Sequence, residues 1–194
     1  MNKYWEHFKL VMTHKKNVYK LCKKVDIPWR GITHDLSKFS PTEFFESVKY
    51  FTGERSPIEV SKQINGVSKA WQHHKGRNTH HWQYWLDNTE NGIVGRIMPF
   101  EDVLEMLCDQ FAAGMTYKKD AWSLDYQLAW WEDKAETHQK YMHPVVFMFM
   151  DYVYYKTLDF VYEDEFFGYI FDYDVLAELY AWCIIEYEDK GIVK

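Results

Sequence analysis

Apolar side chains recur at spacings of three and four along almost the whole chain, the period of helices that turn one face to a core. Val11, His14, Val18, Leu21, Cys22 and Val25 form the first such stripe, and Lys16, Lys20, Lys23 and Lys24 lie off it. Nearly every later segment reads the same way, so the sequence predicts an all-α fold. The punctuation is helical too. Ser40-Pro41-Thr42-Glu43 offers an N-cap, a proline at the first helical position and a capping-box glutamate, and Ser56-Pro57-Ile58-Glu59 repeats it. Asp26, with Pro28 in the first turn, predicts a short helix ending in Thr33-His34-Asp35-Leu36.

After Pro57 the pattern predicts one helix carrying Ile64, Val67, Trp71 and His74 on a single face, broken by Lys75-Gly76-Arg77-Asn78. Asn78 is then read as the cap of a helix holding His80, His81, Trp82 and Trp85. Pro99 opens a helix in which Met106, Asp109 and Ala113 share a stripe. A long helix is expected through Leu124, Leu128, Trp131, Ala135, His138 and Met142, ended or kinked by Pro144. The tail from Val145 to Tyr173 is aromatic and acidic, with a weaker helical pattern, and Asp174 is the expected cap of a last helix through Leu179, Trp182 and Cys183. No repeat or linker interrupts the chain. The division read from this is a metal-binding helical domain over 1–143 and an aromatic, acidic C-terminal extension over 144–194 packed on it.

Composition narrows the class. An aromatic content of 19% is foreign to disordered chains. No apolar run approaches the ~18 residues of a membrane span, and Met1 to Lys9 is too polar for a signal peptide. Cys22, Cys108 and Cys183 form no CxxC and read as reduced residues of a cytoplasmic protein. Charge is lopsided: residues 1–97 carry 16 Lys/Arg against 9 Asp/Glu, and residues 98–194 carry 7 against 20. That suits a small anionic substrate near the N-terminal half, and equally suits two solvated faces that pair within the fold or across a homodimer. No basic stripe alternates with aromatics, which argues against extended nucleic acid as a partner.

Three helices place His14, His74 and Asp109 on core-facing stripes, and His34-Asp35 closes another helix. One polar residue on such a face is usually a satisfied core residue. Several together would each need a buried partner, and a shared cation satisfies them at once. Imidazole and carboxylate are ligands for Mn, Fe, Co, Zn or, with more oxygen, Mg. His73 is excluded if His74 binds, since neighbours on a helix point about 100° apart; His7, His138 and His143 read as structural. Lys75 and Arg77 could contact phosphate or simply be solvated. Glu105, one turn before Asp109, could orient a ligand, act as a general base, or be an exposed helix residue.

The order His, His-Asp, His, His-His, Asp, with His34-Asp35-Leu36-Ser37-Lys38, resembles the HD-domain superfamily of metal-dependent phosphohydrolases. Its binuclear members, among them cyclic-dinucleotide phosphodiesterases and inositol oxygenases, carry a similar His-Asp-x-x-Lys. The chain also resembles a smaller HD-like family of phage and bacterial proteins, through His14-Lys15 with Val18, the run from His34 to Pro41 with Glu43, Asn78 with His80-His81-Trp82, and Glu105-Met106 with Asp109. The resemblance covers roughly residues 4–120 and implies an HD-like helical bundle. It implies that His14, His34, Asp35 and Asp109 hold one metal, that Asp35 bridges to a second held by His74 and by His80 or His81, and that Lys38 meets a substrate phosphate. A mono- or binuclear hydrolase of a nucleotide-type phosphate ester or anhydride follows, with Asp35, Lys38 and Glu105 as catalytic candidates and Lys38, Lys75 and Arg77 as substrate contacts. Two departures stand: mononuclear HD nucleotidases usually carry an acidic residue where Lys38 is, and the Gly-Tyr-Pro signature of the cyclic-dinucleotide enzymes is absent. The alternatives are a di-iron oxygenase with the same ligands, and a non-catalytic scaffold that binds a nucleotide or a partner protein.

Overall fold

Helix α1 (Lys3–Lys24) and helix α6 (Phe100–Lys118) lie side by side and form the spine of the molecule. The computed structural model describes residues 2–189. Along α6 the residues Val103, Leu104, Met106, Leu107, Cys108, Phe111 and Ala112 are at most 1% exposed, so the apolar pattern here covers nearly the whole circumference. Between the two spine helices come α2 (Pro28–Thr33), a 3-10 turn at Leu36–Phe39, α3 (Pro41–Tyr50), α4 (Pro57–Asn65) and α5 (Lys69–Lys75). A second 3-10 turn at Trp82–Trp85 leads into a hairpin of β1 (Leu86–Thr89) and β2 (Gly92–Gly95). After α6 follow α7 (Leu124–Glu132), α8 (Ala135–Tyr141), α9 (Pro144–Tyr155), α10 (Glu163–Tyr169) and α11 (Tyr173–Asp189). The fold is predominantly all-α. One continuous apolar core runs from Val18 to Cys183, with Phe111, Tyr154 and Phe166 at its centre. Among the described residues no helix is long and apolar enough to cross a membrane.

Close approach of α2 to α1 depends on Gly31. A Cβ there would lie 2.8 Å from Tyr19 Cα and 2.9 Å from Cys22 Cβ. The contact sets the height at which α2 delivers its last turn beside α1.

Several boundaries differ from the sequence expectation. Helix α2 stops at Thr33, because Asp35 sits in the left-handed region at φ 54, ψ 29. Asp26 is itself left-handed, at φ 52, and does not cap that helix. The helix expected to continue from Pro57 to His74 ends at Gly66, which takes φ 74. Ser68 then caps a new helix through the Trp71 amide, and Ile64 and Val67 point to solvent. His80 and His81 lie in a turn rather than a helix, with the 3-10 turn starting after them. The long helix expected over 124–142 breaks between Glu132 and Ala135, which brings the His138 ring to 4.6 Å from Trp131. The tail is helical, and Asp172 rather than Asp174 caps α11, accepting from the Asp174 and Val175 amides. The hairpin is an addition with antiparallel register Leu86 to Gly95 and Thr89 to Gly92.

Candidate metal centre

Asp35 is the hub. Its carboxylate is 3% exposed, and its two oxygens face different groups of side chains. Oδ2 lies 3.1 Å from His34 Nε2 and 3.9 Å from His14 Nε2. Oδ1 lies 3.2 Å from His74 Nε2 and 3.5 Å from His80 Nε2. Asp109, from α6, completes the first group: its Oδ1 is 3.0 Å from His14 Nε2 and 3.4 Å from His34 Nε2. His81 completes the second, with its ring centroid 4.3 Å from that of His80 and 4.8 Å from that of His74. Two tetrads therefore share one carboxylate: His14, His34, Asp35 and Asp109, and Asp35, His74, His80 and His81. Within each, the candidate ligand atoms lie within 4.8 Å of one another, so each could hold a metal ion.

The fold assembles these seven side chains from five places. His14 comes from the middle of α1 and Asp109 from the facing turn of α6. His34 and Asp35 come from the corner after α2, His74 from α5, and His80 and His81 from the turn after it. The left-handed backbone at Asp35 is uncommon for a residue with a side chain and turns its carboxylate inward. Lys15 holds the corner in place, donating to the carbonyls of Ile32 and His34 at 2.6 Å each.

Carboxylates behind the imidazoles fix their orientation. Glu105 Oε1 is 2.9 Å from His34 Nδ1 and 3.1 Å from His80 Nδ1. Glu43 Oε2 is 2.7 Å from His74 Nδ1, and its other oxygen takes the neighbouring His73. With Nδ1 held by a carboxylate, each of His34, His74 and His80 turns Nε2 toward Asp35, and loss of any Nε2 proton would free its lone pair for a metal. Arg30 neutralises Glu105 through Oε2 at 3.1 Å while also pairing with Asp102 and Glu101. Glu105 is thus a buried positioning residue whose two oxygens are both committed. Lys38 places its ammonium on Asp35 Oδ2. Arg77 is exposed and turns its guanidinium back to the His73 carbonyl, and neither it nor Lys75 forms an ion pair among the described residues.

Electrostatics follow from burial and crowding. Burial pushes the Asp35 carboxyl up, but His34, Lys38 and His74 outweigh it and hold the group well below the usual carboxylate range. Asp109 behaves likewise, burial being overcome by hydrogen bonds with His14 and His34. Burial lowers His34, yet Asp35, Asp109 and Glu105 raise it well above an ordinary imidazole. Burial lowers His74 as well, and Asp35 and Glu43 more than compensate. His81 is held well below the ordinary value by burial and by its neighbours His80 and His74. The buried imidazole nitrogens His80 Nε2 and His81 Nε2 find no hydrogen-bond partner among the described residues, whereas the Asp35 oxygens rest against Lys38, His34 and His74. Buried imidazole nitrogens without a partner are costly. A divalent cation at each tetrad fits that donor set.

Residues 3–151 match a protein family, DUF5662, described as a family of unknown function. The chain belongs to that family. No curated protein and no solved structure matches it. All seven candidate ligands and both orienting glutamates fall inside the DUF5662 match, as do Lys15, Arg30 and Lys38.

Sequence reasoning missed three supporting residues. Glu43 reads as a capping-box residue, and its amide does approach Ser40 Oγ at 3.4 Å, but its side chain serves the histidines of α5. The sequence assigns no role to Arg30 or Lys15. Their partners belong to other elements, and no local spacing announces them.

Proposed function

We propose that this DUF5662 protein is a metal-dependent phosphohydrolase of HD-domain type, acting on a nucleotide-type phosphate ester or anhydride at a binuclear centre. The observation that carries the reading is the division of Asp35, with one oxygen toward each tetrad. A pair of divalent ions held there would polarise a phosphoryl group and acidify a water. His14, His34 and Asp109 would hold one ion, and His74, His80 and His81 the other, with Asp35 common to both.

The remaining tasks fall to the chain's own groups. Glu105 and Glu43 keep the imidazole lone pairs aimed inward, and Arg30 offsets the charge of Glu105, so the ligand cage is pre-formed. Lys38 puts a fixed positive charge beside Asp35, and burial, which would lower its pKa, is outweighed by Asp35 and Asp109. It stays protonated and offers its N–H groups to an arriving phosphate oxygen. The two carboxylates among seven ligands leave two divalent ions undercompensated, and with Lys38 the cage favours an anionic substrate.

The test is anaerobic turnover of a nucleotide and phosphoester panel by protein loaded with Mn²⁺, Co²⁺ or Mg²⁺. Phosphate release without O₂ or reductant supports the reading. Turnover seen only with iron and air would replace it with an oxygenase, and silence under both conditions would leave a binding protein.

A further inference from the structure

The C-terminal half holds a surface that the metal chemistry does not use. Two cavities of about 380 and 510 Å³ open side by side between α9 and α11 and share Tyr152, Lys156 and Trp182. Tyr152 and Trp182 are 44% and 48% exposed, with ring centroids 6.4 Å apart, so exposed aromatic rings line the groove. Its lining is acidic on balance: Asp151, Asp159 and Glu178 stand against one lysine, Lys156. That lysine lies in the groove, 5.3 Å over the Tyr152 ring and 2.7 Å from Asp159. The groove thus already seats one ammonium between a ring face and a carboxylate. Glu178, on its lip, is exposed and has no ion pair among the described residues.

The complementary surface is the outer face of α1. Met12, Lys16, Tyr19, Lys20 and Lys23 are exposed there, on the side away from His14 and Val18. None of the three lysines forms an ion pair among the described residues. This ridge is apolar and cationic where the groove is aromatic and acidic. From Met12 to Lys20 it runs about 12 Å, and the groove lining from Phe147 to Lys156 runs about 13 Å, at the rise of an α-helix.

We propose that the groove between α9 and α11 receives the outer face of α1 from a second copy of this chain. Lys16 and Lys20 would face the acidic lip, while Met12 and Tyr19 cover Tyr152 and Trp182. The contact joins two different surfaces, so it is not self-complementary, and variants of the two faces can rescue each other. It is independent of the metal centre.

The experiment is sedimentation of the full chain from low micromolar to about 100 µM, where an interface of ordinary size is populated, at low and high salt. Wild type should associate with concentration, and salt should weaken the association. A double variant Lys16→Glu, Lys20→Glu and a double variant Trp182→Ala, Glu178→Lys should each sediment as monomers. A one-to-one mixture of the two keeps one intact ridge and one intact groove and should form a heterodimer. Circular dichroism confirms folding; should the groove pair misfold, Tyr152→Ala removes only an exposed ring and replaces it. A wild-type monomer at every concentration, self-association that survives either variant, or a mixture that stays monomeric would each overturn the proposal.

Discussion

Glu105→Gln should weaken both metal positions at once, whereas Glu43→Gln should weaken one. Glu105 Oε1 accepts from His34, a ligand of the first tetrad, and from His80, a ligand of the second. Glu43 reaches only His74 among the ligands. Loss of a carboxylate that orients a ligating histidine lowers metal affinity about 10- to 100-fold, or about 1.4–2.8 kcal/mol per ion. The amide is nearly isosteric, so the packing against α1 survives. If its oxygen serves the two imidazoles, its NH₂ meets the Arg30 guanidinium, which keeps Asp102 at 2.7 Å and Glu101 at 3.1 Å. That donor–donor contact should lower stability by about 1–3 kcal/mol. The assay is competitive chelator titration with Mn²⁺ or Co²⁺, with stoichiometry by elemental analysis and a thermal melt of the metal-free protein. Two ions bound by Glu105→Gln with wild-type affinity would refute the orienting role. So would selective loss of one ion in Glu105→Gln and of both in Glu43→Gln.

Asp35→Asn should remove both ions from a folded protein, and Asp109→Ala should cut metal content and melting temperature together, while Lys38→Ala keeps the metal and loses affinity for inorganic phosphate; elemental analysis and calorimetry read all three. Metal uptake should release protons, because His34 and His74 sit above the ordinary imidazole value and must lose a proton to ligate, so affinity falls as pH falls; calorimetry in buffers of different ionisation enthalpy counts the protons, and none released would contradict it. Burial, and Lys38 or Lys134 respectively, depress His7 and His138 to about 4, so the unfolded chain takes up protons first and the metal-free protein should lose about 2–3 kcal/mol per histidine as pH drops from 6.5 to 4. His138→Phe should flatten that slope in urea titrations, and an unchanged slope would remove His138 from the account. Gly31→Ala should destabilise by about 1–3 kcal/mol, since its methyl meets the α1 backbone; an unchanged melt would show that α1 and α2 part freely.

Those residues also mark how far the sequence could be read. His14 and Asp109 were legible because each interrupts an apolar stripe of its own helix, so the period alone points them inward. His80 and His81 were legible as a pair but not as a turn. Trp82 and Trp85 imitate a helical spacing that a short 3-10 turn also satisfies. The hairpin carried a signal in Asn91-Gly92 beside Ile93-Val94, drowned by the helical pattern around it. The break at Gly66 was equally present in the sequence, as a glycine followed within two residues by a serine able to cap. Glu43 and Arg30 stayed hidden for a different reason. Their partners lie across the bundle, and a single sequence records charges without recording which helix stands opposite.

Lys38 on Asp35 gives the polypeptide an internal positive charge beside the groups that could hold a metal ion. Small domains built around a metal commonly collapse when it is withdrawn, because the ion's binding free energy supplies much of their folding free energy. Here a covalently attached ammonium, together with the imidazoles that crowd the two carboxylates, neutralises them in advance. If the site takes a metal, synthesis and loading would thereby be uncoupled: the chain would finish folding first and be charged with whichever ion its surroundings supply. Its competence would then track the supply of metal, while its abundance would not.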